Sequence, residues 1–244
     1  MEFARYLELI WSDSELLLAA AQRSPRGVVP SCPGWTAADL VRHVGQVYEH
    51  KVLCMKLDRE PAAEERIPEP EESALGAWFV AQRDALLEQL TAHEPQQPTH
   101  TWFPPDQSVG FWYRRMALET AVHRVDAELA AGTRTDIDLD LAADGVDELV
   151  GFVTYDFGDT PVLEEGAGRT VQLRCAHHRW AVTLRREGVD RAADDASADS
   201  GLQGEPSDLL LYLWNRDRGG VAVNAWGDES TLTAFGTRLA AETQ

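Results

Sequence analysis

Basic residues are scarce in this sequence: 22 lysines and arginines stand against 41 aspartates and glutamates, a formal net charge of -19. A surface of that sign repels phosphate backbones and anionic headgroups, and no basic cluster offsets it. Nucleic acid and membrane partners are thereby excluded, and a small-molecule substrate is expected. Long apolar runs are missing too, with no stretch approaching the ~20 residues of a bilayer-crossing helix. The opening residues lack the basic start, apolar middle and small-residue cleavage site of a secretory signal, so the cytoplasm is the expected compartment. Cysteine is also sparse. Cys32, Cys54 and Cys175 are widely separated and form no CxxC pair, which argues against a disulfide framework and for reduced thiols.

What remains is an ordinary globular composition, 44% hydrophobic over 244 residues, enough for two modest domains with separate cores. The first half reads as helices. Leu7, Ile10, Trp11, Leu17 and Leu18 recur at helical spacing until Pro25 to Gly27 breaks the pattern. A second helix begins after Pro33 and Gly34, where Thr36 can cap and Asp39 completes a capping box, with Leu40, Val44 and Val47 on its apolar face. The acidic, proline-bearing stretch from Pro61 to Glu72 reads as a solvated loop. Leu75, Phe79, Leu86 and Leu90 mark a third helix, and residues 110–131 a fourth with a stripe of Leu118, Val122, Val125 and Leu129 and Gly132 at its end. Four such helices make a bundle, assigned to residues 1–133.

After a linker over residues 132–144, a helical segment is expected from Gly145 to Phe157. Val171, Leu173 and Cys175 then alternate, as do Trp180, Val182 and Leu184, which predicts a hairpin. An acidic loop from Asp194 to Asp208 leads to an apolar helix, Leu209 to Trp214, a strand from Val221 to Trp226 and a closing helix from about Glu229. The class is therefore α+β, with a smaller α+β domain over residues 145–244.

Glu119 and His123 stand four apart on the fourth helix and project from one face, close enough to share a metal ion. His43, set among Leu40, Val44 and Val47, points toward the bundle interior. A His, Glu, His set suits Zn(II) or another divalent metal, and three protein ligands leave a fourth position open, as in catalytic zinc sites. Spacing alone leaves the plainer alternative standing: a surface Glu and His one turn apart, and a hydrogen-bonded core histidine.

The run Val29-Pro30-Ser31-Cys32-Pro33-Gly34-Trp35-Thr36-Ala37-Ala38-Asp39-Leu40-Val41-Arg42-His43-Val44-Gly45 resembles the VPxCPGWTxxDLVxHxG signature of the mycothiol-dependent maleylpyruvate isomerase family. The block from Phe111 to Asp126 resembles its fourth-helix motif, and Leu213 to Arg216 with Val221 to Asp228 is similar to the end of its C-terminal domain. The resemblance implies a DinB-like four-helix bundle joined to a smaller α+β domain, a zinc ion at His43, Glu119 and His123, and mycothiol, the low-molecular-weight thiol of actinobacteria, as cosubstrate. Leu118 departs from the family, which often has histidine just before the glutamate.

The implied chemistry is isomerisation or S-transfer. Zinc coordination favours the thiolate over a thiol whose ordinary pKa is about 8.5. The thiolate adds to the activated double bond of a maleylpyruvate-like cis substrate, the new single bond rotates, and elimination returns the trans alkene. A cation is needed for the transient enolate, and Arg216 is the residue that the family match marks; Arg115 is the other candidate, with surface ion pairing its plainer reading. His50 shares a helix face with His43 and is the main rival in the ligand set, while Asp126 is either an acceptor behind His123 or a solvated residue. His177 and His178 read as an exposed turn, Cys32 as packing, and Trp35, Trp102 and Trp112 as core or pocket wall. Two other functions fit the same shell: a zinc hydrolase, if water fills the open position, and a non-catalytic ligand-binding protein. A monomer or homodimer is expected.

Overall fold

The computed structural model describes residues 1–158, 162, 164–217 and 219–242 and divides into two compact units, Met1–Thr135 and Asp136–Gln244. The first holds four helices: α1 (Phe3–Arg23), α2 (Ala37–Leu57), α3 (Leu75–Thr91) and α4 (Val109–Ala130), with α1 packed on α4 and α2 on α3. Two short 3-10 turns, Ala63–Glu65 and Glu72–Ala74, punctuate the connection between α2 and α3.

Helix α2 starts where expected. Thr36 Oγ1 accepts from the Asp39 N–H at 3.3 Å, and Asp39 Oδ2 accepts from the Thr36 N–H at 3.0 Å, the reciprocal pair of a capping box. Its left-handed end at Asp58 (φ 53°) turns the chain, and Asp58 Oδ1 then accepts from the His100 N–H at 2.7 Å. In α1 the buried face is Tyr6, Leu9, Ile10, Asp13, Ser14, Leu17, Ala20 and Ala21; Trp11, expected to be part of the apolar stripe, is 54% exposed, with the Arg83 guanidinium over its ring.

Helix α4 is not striped but enclosed. Besides its apolar residues it buries Arg115, Thr120, His123, Arg124, Asp126 and Glu128. A buried charge survives only when paired, and each finds its partners inside the unit. Arg124, for example, donates to Asp13 Oδ1 at 3.2 Å, Glu128 Oε2 at 3.0 Å and the Thr135 carbonyl at 2.8 Å.

The second unit opens with α5 (Leu139–Val153), which starts inside the expected linker because Asp138 caps it, accepting from the N–H groups of Asp140 and Leu141. A five-stranded sheet follows, β1 (Thr170–Cys175), β2 (His178–Arg185), β3 (Gly188–Ala192), β4 (Ser200–Gly204) and β5 (Val223–Gly227), in the order β3-β2-β1-β4-β5. Helices α6 (Pro206–Leu213) and α7 (Glu229–Glu242) complete it. The expected β1-β2 hairpin is present, with Leu173 opposite Trp180. Strand β4 corrects the reading of residues 194–208 as loop: it lies between β1 and β5, parallel to β1, with Gly201 opposite Trp226. A Cβ at Gly201 would strike the Trp226 ring and the Gln172 carbonyl, so the glycine that masks the strand in the sequence is required by its neighbours. No helix among the described residues is long and apolar enough to cross a membrane.

Candidate metal centre

His43 comes from the second turn of α2 and Glu119 and His123 from one face of α4, and a metal-ligand atom from each lies within 4.8 Å of those from the other two. Glu119 Oε1 is 3.2 Å from His123 Nε2 and 3.7 Å from His43 Nε2. The two imidazoles meet edge to face with centroids 5.1 Å apart, and the Trp35 ring also meets His43 edge to face, at 4.9 Å.

The support behind these side chains is more specific than the trio. Asp126, fully buried, holds His123 Nδ1 at 2.9 Å and receives a short hydrogen bond from the Ser31 hydroxyl. That contact assigns the proton of a neutral His123 to Nδ1 and leaves Nε2 with a free lone pair facing Glu119, the tautomer a metal ligand needs. Arg115 Nη2 approaches the other Glu119 oxygen, Oε2, at 3.1 Å. Its side chain is buried, which corrects the reading of Arg115 as a surface pair: the guanidinium backs a carboxylate of the cluster and orients it.

Electrostatics are strongly coupled here. Burial works against the Glu119 charge, but His123, His43 and Arg115 outweigh it and hold the carboxyl well below its ordinary range. Burial likewise opposes a charge on His123, yet Glu119 and Asp126 push the imidazole up to about 9. A cation is therefore favoured at this point of the bundle: the protein supplies one as imidazolium, and a divalent ion would replace that proton.

The remaining candidates lie elsewhere. Leu118, at the family's histidine position, is fully buried in the core. His50 falls outside the trio and joins Cys54 and Glu60 in a second cluster. His177 and His178 are exposed, His178 stacked on Trp180. Arg216 sits in the second unit on the turn after α6, half-buried, donating to the Trp214 carbonyl at 2.7 Å, between Asn215 (φ 55°) and Asp217 (φ 42°), both left-handed. Cys32 is partly exposed; Cys54 and Cys175 are buried, and burial pushes each thiol up to about 11, which makes neither a ready nucleophile. Trp112 is core, its indole N–H donating to the His100 carbonyl at 3.1 Å, whereas Trp102 is 40% exposed.

Two histidines and a glutamate converging between two helices of a bundle make a cluster that could hold a metal ion, the arrangement of the class of helical bundles that build such sites from facing helices. The family model of the mycothiol maleylpyruvate isomerase N-terminal domain matches residues 7–128, and the chain belongs to that family. Two crystal structures of the mycothiol-dependent maleylpyruvate isomerase, one of a histidine-to-alanine variant, share the fold with a TM-score of 0.62; they are 16% and 15% identical, and the match covers 92% of this chain and 93% of each of those. No curated protein matches.

Proposed function

We propose that this chain is a mycothiol-dependent enzyme, an isomerase or S-transferase acting on an activated double bond of the maleylpyruvate kind, with a zinc ion held by His43, Glu119 and His123. The observation that carries the metal is the buried Asp126 behind His123, which fixes the ligand tautomer in a cluster already tuned to receive a cation. The donor set fits: two imidazole nitrogens and one carboxylate oxygen, a first shell that leaves one position open.

When bound, zinc supplies a lowered thiol pKa, converting a cosubstrate that is mostly protonated near neutrality into a thiolate. The chain's own residues do the rest. Asp126 and Ser31 hold the His123 ring in place, Arg115 holds the Glu119 carboxylate, and Trp35 fixes the ring of His43. Arg216 is the residue proposed to stabilise the enolate oxygen. Support for it comes from its place in the family-like Leu213 to Arg216 run.

Elemental analysis of wild type and of His43→Ala, Glu119→Ala and His123→Ala, each checked for folding by circular dichroism, tests the centre. Zinc bound by wild type and lost from folded variants is expected, together with turnover of a maleylpyruvate-type substrate only when mycothiol is supplied. Turnover without thiol would select the hydrolase; a wild type that cannot be loaded with metal would leave a binding scaffold.

A further inference from the structure

The second cluster lies at the far end of α2. His50 and Cys54 are one helical turn apart, Glu60 sits in the loop that follows, and His100 in the segment leading to α4. His50 Nε2 is 2.7 Å from Glu60 Oε1, His100 Nε2 is 3.6 Å from Glu60 Oε2, and Cys54 Sγ is 4.0 Å from Glu60 Oε2 and 3.6 Å from His50 Nδ1. A metal-ligand atom from each of His50, Cys54 and Glu60 lies within 4.8 Å of the other two. The carboxylate edges a cavity of 440 Å³ lined also by Gln46, Arg66 and Glu69, which gives an entry path.

We propose that His50, Cys54, Glu60 and His100 form a second divalent-metal site, suited to a zinc-like ion and separate from the His43 cluster. A zinc tetrahedron with bonds of ~2.0 Å to nitrogen and oxygen and ~2.3 Å to sulfur has edges of roughly 3.3 to 3.6 Å. The separations of 2.7, 3.6 and 4.0 Å from the Glu60 oxygens bracket that range, His50, Cys54 and Glu60 already lie within mutual reach of one ion, and His100 joins them as the fourth ligand by a side-chain movement. Hydrogen bonding alone accounts for His50 and Glu60 and, through long sulfur contacts, for the Cys54 thiol, but it leaves His100 standing 3.6 Å from the carboxylate, at the edge length of a coordination shell. Thiolate with imidazole selects zinc or a softer ion over magnesium and calcium.

The Lys51 ammonium stands 3.0 Å from His50 Nδ1, so the ion takes the Nε2 edge, which Glu60 Oε1 faces at 2.7 Å, and the Cys54 thiol, now 3.6 Å from Nδ1, turns toward that edge to bind. Such an ion would tie the end of α2 to two loops, and its chemistry differs from that of the first site in one observable respect, the sulfur ligand.

Cobalt(II) loading of the full chain reads that difference. The Glu119→Ala variant, which disables the first site, is expected to bind cobalt still and to show a near-ultraviolet sulfur-to-cobalt charge-transfer band. The band should vanish in Cys54→Ser and persist in Cys32→Ser. His100→Ala and Glu60→Gln, changes at more exposed positions, should weaken the same binding by roughly tenfold or more, and they carry the test if Cys54→Ser does not fold. Absence of the band, its survival in Cys54→Ser, or unaltered affinity in both His100→Ala and Glu60→Gln would overturn the proposal, whatever the first site does.

Discussion

Asp126 and His123 are joined at 2.9 Å, carboxylate to Nδ1, in a spot where Asp126 has no exposed surface and Ser31 closes on its other oxygen. The pair links the fourth helix to the loop before α2, so the two sequence blocks that mark this family meet at one buried carboxylate. Replacing Asp126 by asparagine keeps the volume but removes the charge and frees the His123 tautomer. Zinc affinity is expected to fall about 10–100-fold, read by competition with a chromophoric chelator. An unchanged affinity would reduce Asp126 to a packing residue.

Arg124 is neighbour to the same helix turn but serves the fold. Its guanidinium is 2% exposed and divided among Asp13, Glu128 and Thr135. Truncation to alanine removes the Arg124 charge from two buried carboxylates, and breaking buried pairs of this kind costs about 3–5 kcal/mol. Denaturant unfolding of Arg124→Ala should show a loss of that order. A loss within about 0.5 kcal/mol, the range of ordinary surface changes, would mean that water replaces the guanidinium.

Much of the first unit is legible in the chain because its signals are local. Thr36 and Asp39 announce the start of α2 three residues apart, and Glu119 and His123 are one turn apart on α4. Signals that depend on the fold are not legible. The burial of Arg115, Arg124 and Glu128 in α4 follows from partners on α1, on α4 itself and in the segment after it, and no periodicity reveals it. Strand β4 carries little apolar side chain and two glycines, so its central place comes from the strands beside it. Glu60 and His100 stand 40 positions apart in irregular segments, and only the folded chain brings them to His50.

Acid should act on the second unit through Asp228. Its carboxylate accepts from the Ser230 hydroxyl at 2.6 Å and from the Thr231 hydroxyl and N–H at 2.8 and 2.9 Å, capping the first turn of α7, and these bonds lower its pKa from 3.8 to about 2. A depressed folded-state pKa stabilises above the unfolded value and ceases to do so as pH falls through the folded one. Asp228→Ala should therefore lower Tm near neutrality, and the gap to wild type should close as pH drops from 3.8 toward 2. A gap that stayed constant across that window would assign the effect to the backbone rather than to the carboxylate.

Gly45, two residues after His43, shows how closely the helices are fitted around the candidate metal centre. A Cβ there would collide with the Trp78 indole on α3. Alanine at an ordinary helical glycine raises stability by roughly 0.5–1 kcal/mol; at this one the ring or the helix must move, and overpacking of that kind costs about 1–3 kcal/mol. The second effect is the larger, so Gly45→Ala should be destabilised in thermal unfolding. Because α2 shifts with the clash, zinc affinity should fall alongside. Pairing the change with Trp78→Phe, which shrinks the ring, separates the causes. Recovery of stability and affinity together would show that contact with α3 sets the position of His43; a stable Gly45→Ala single variant would show that the indole swings aside and leaves α2 where it is.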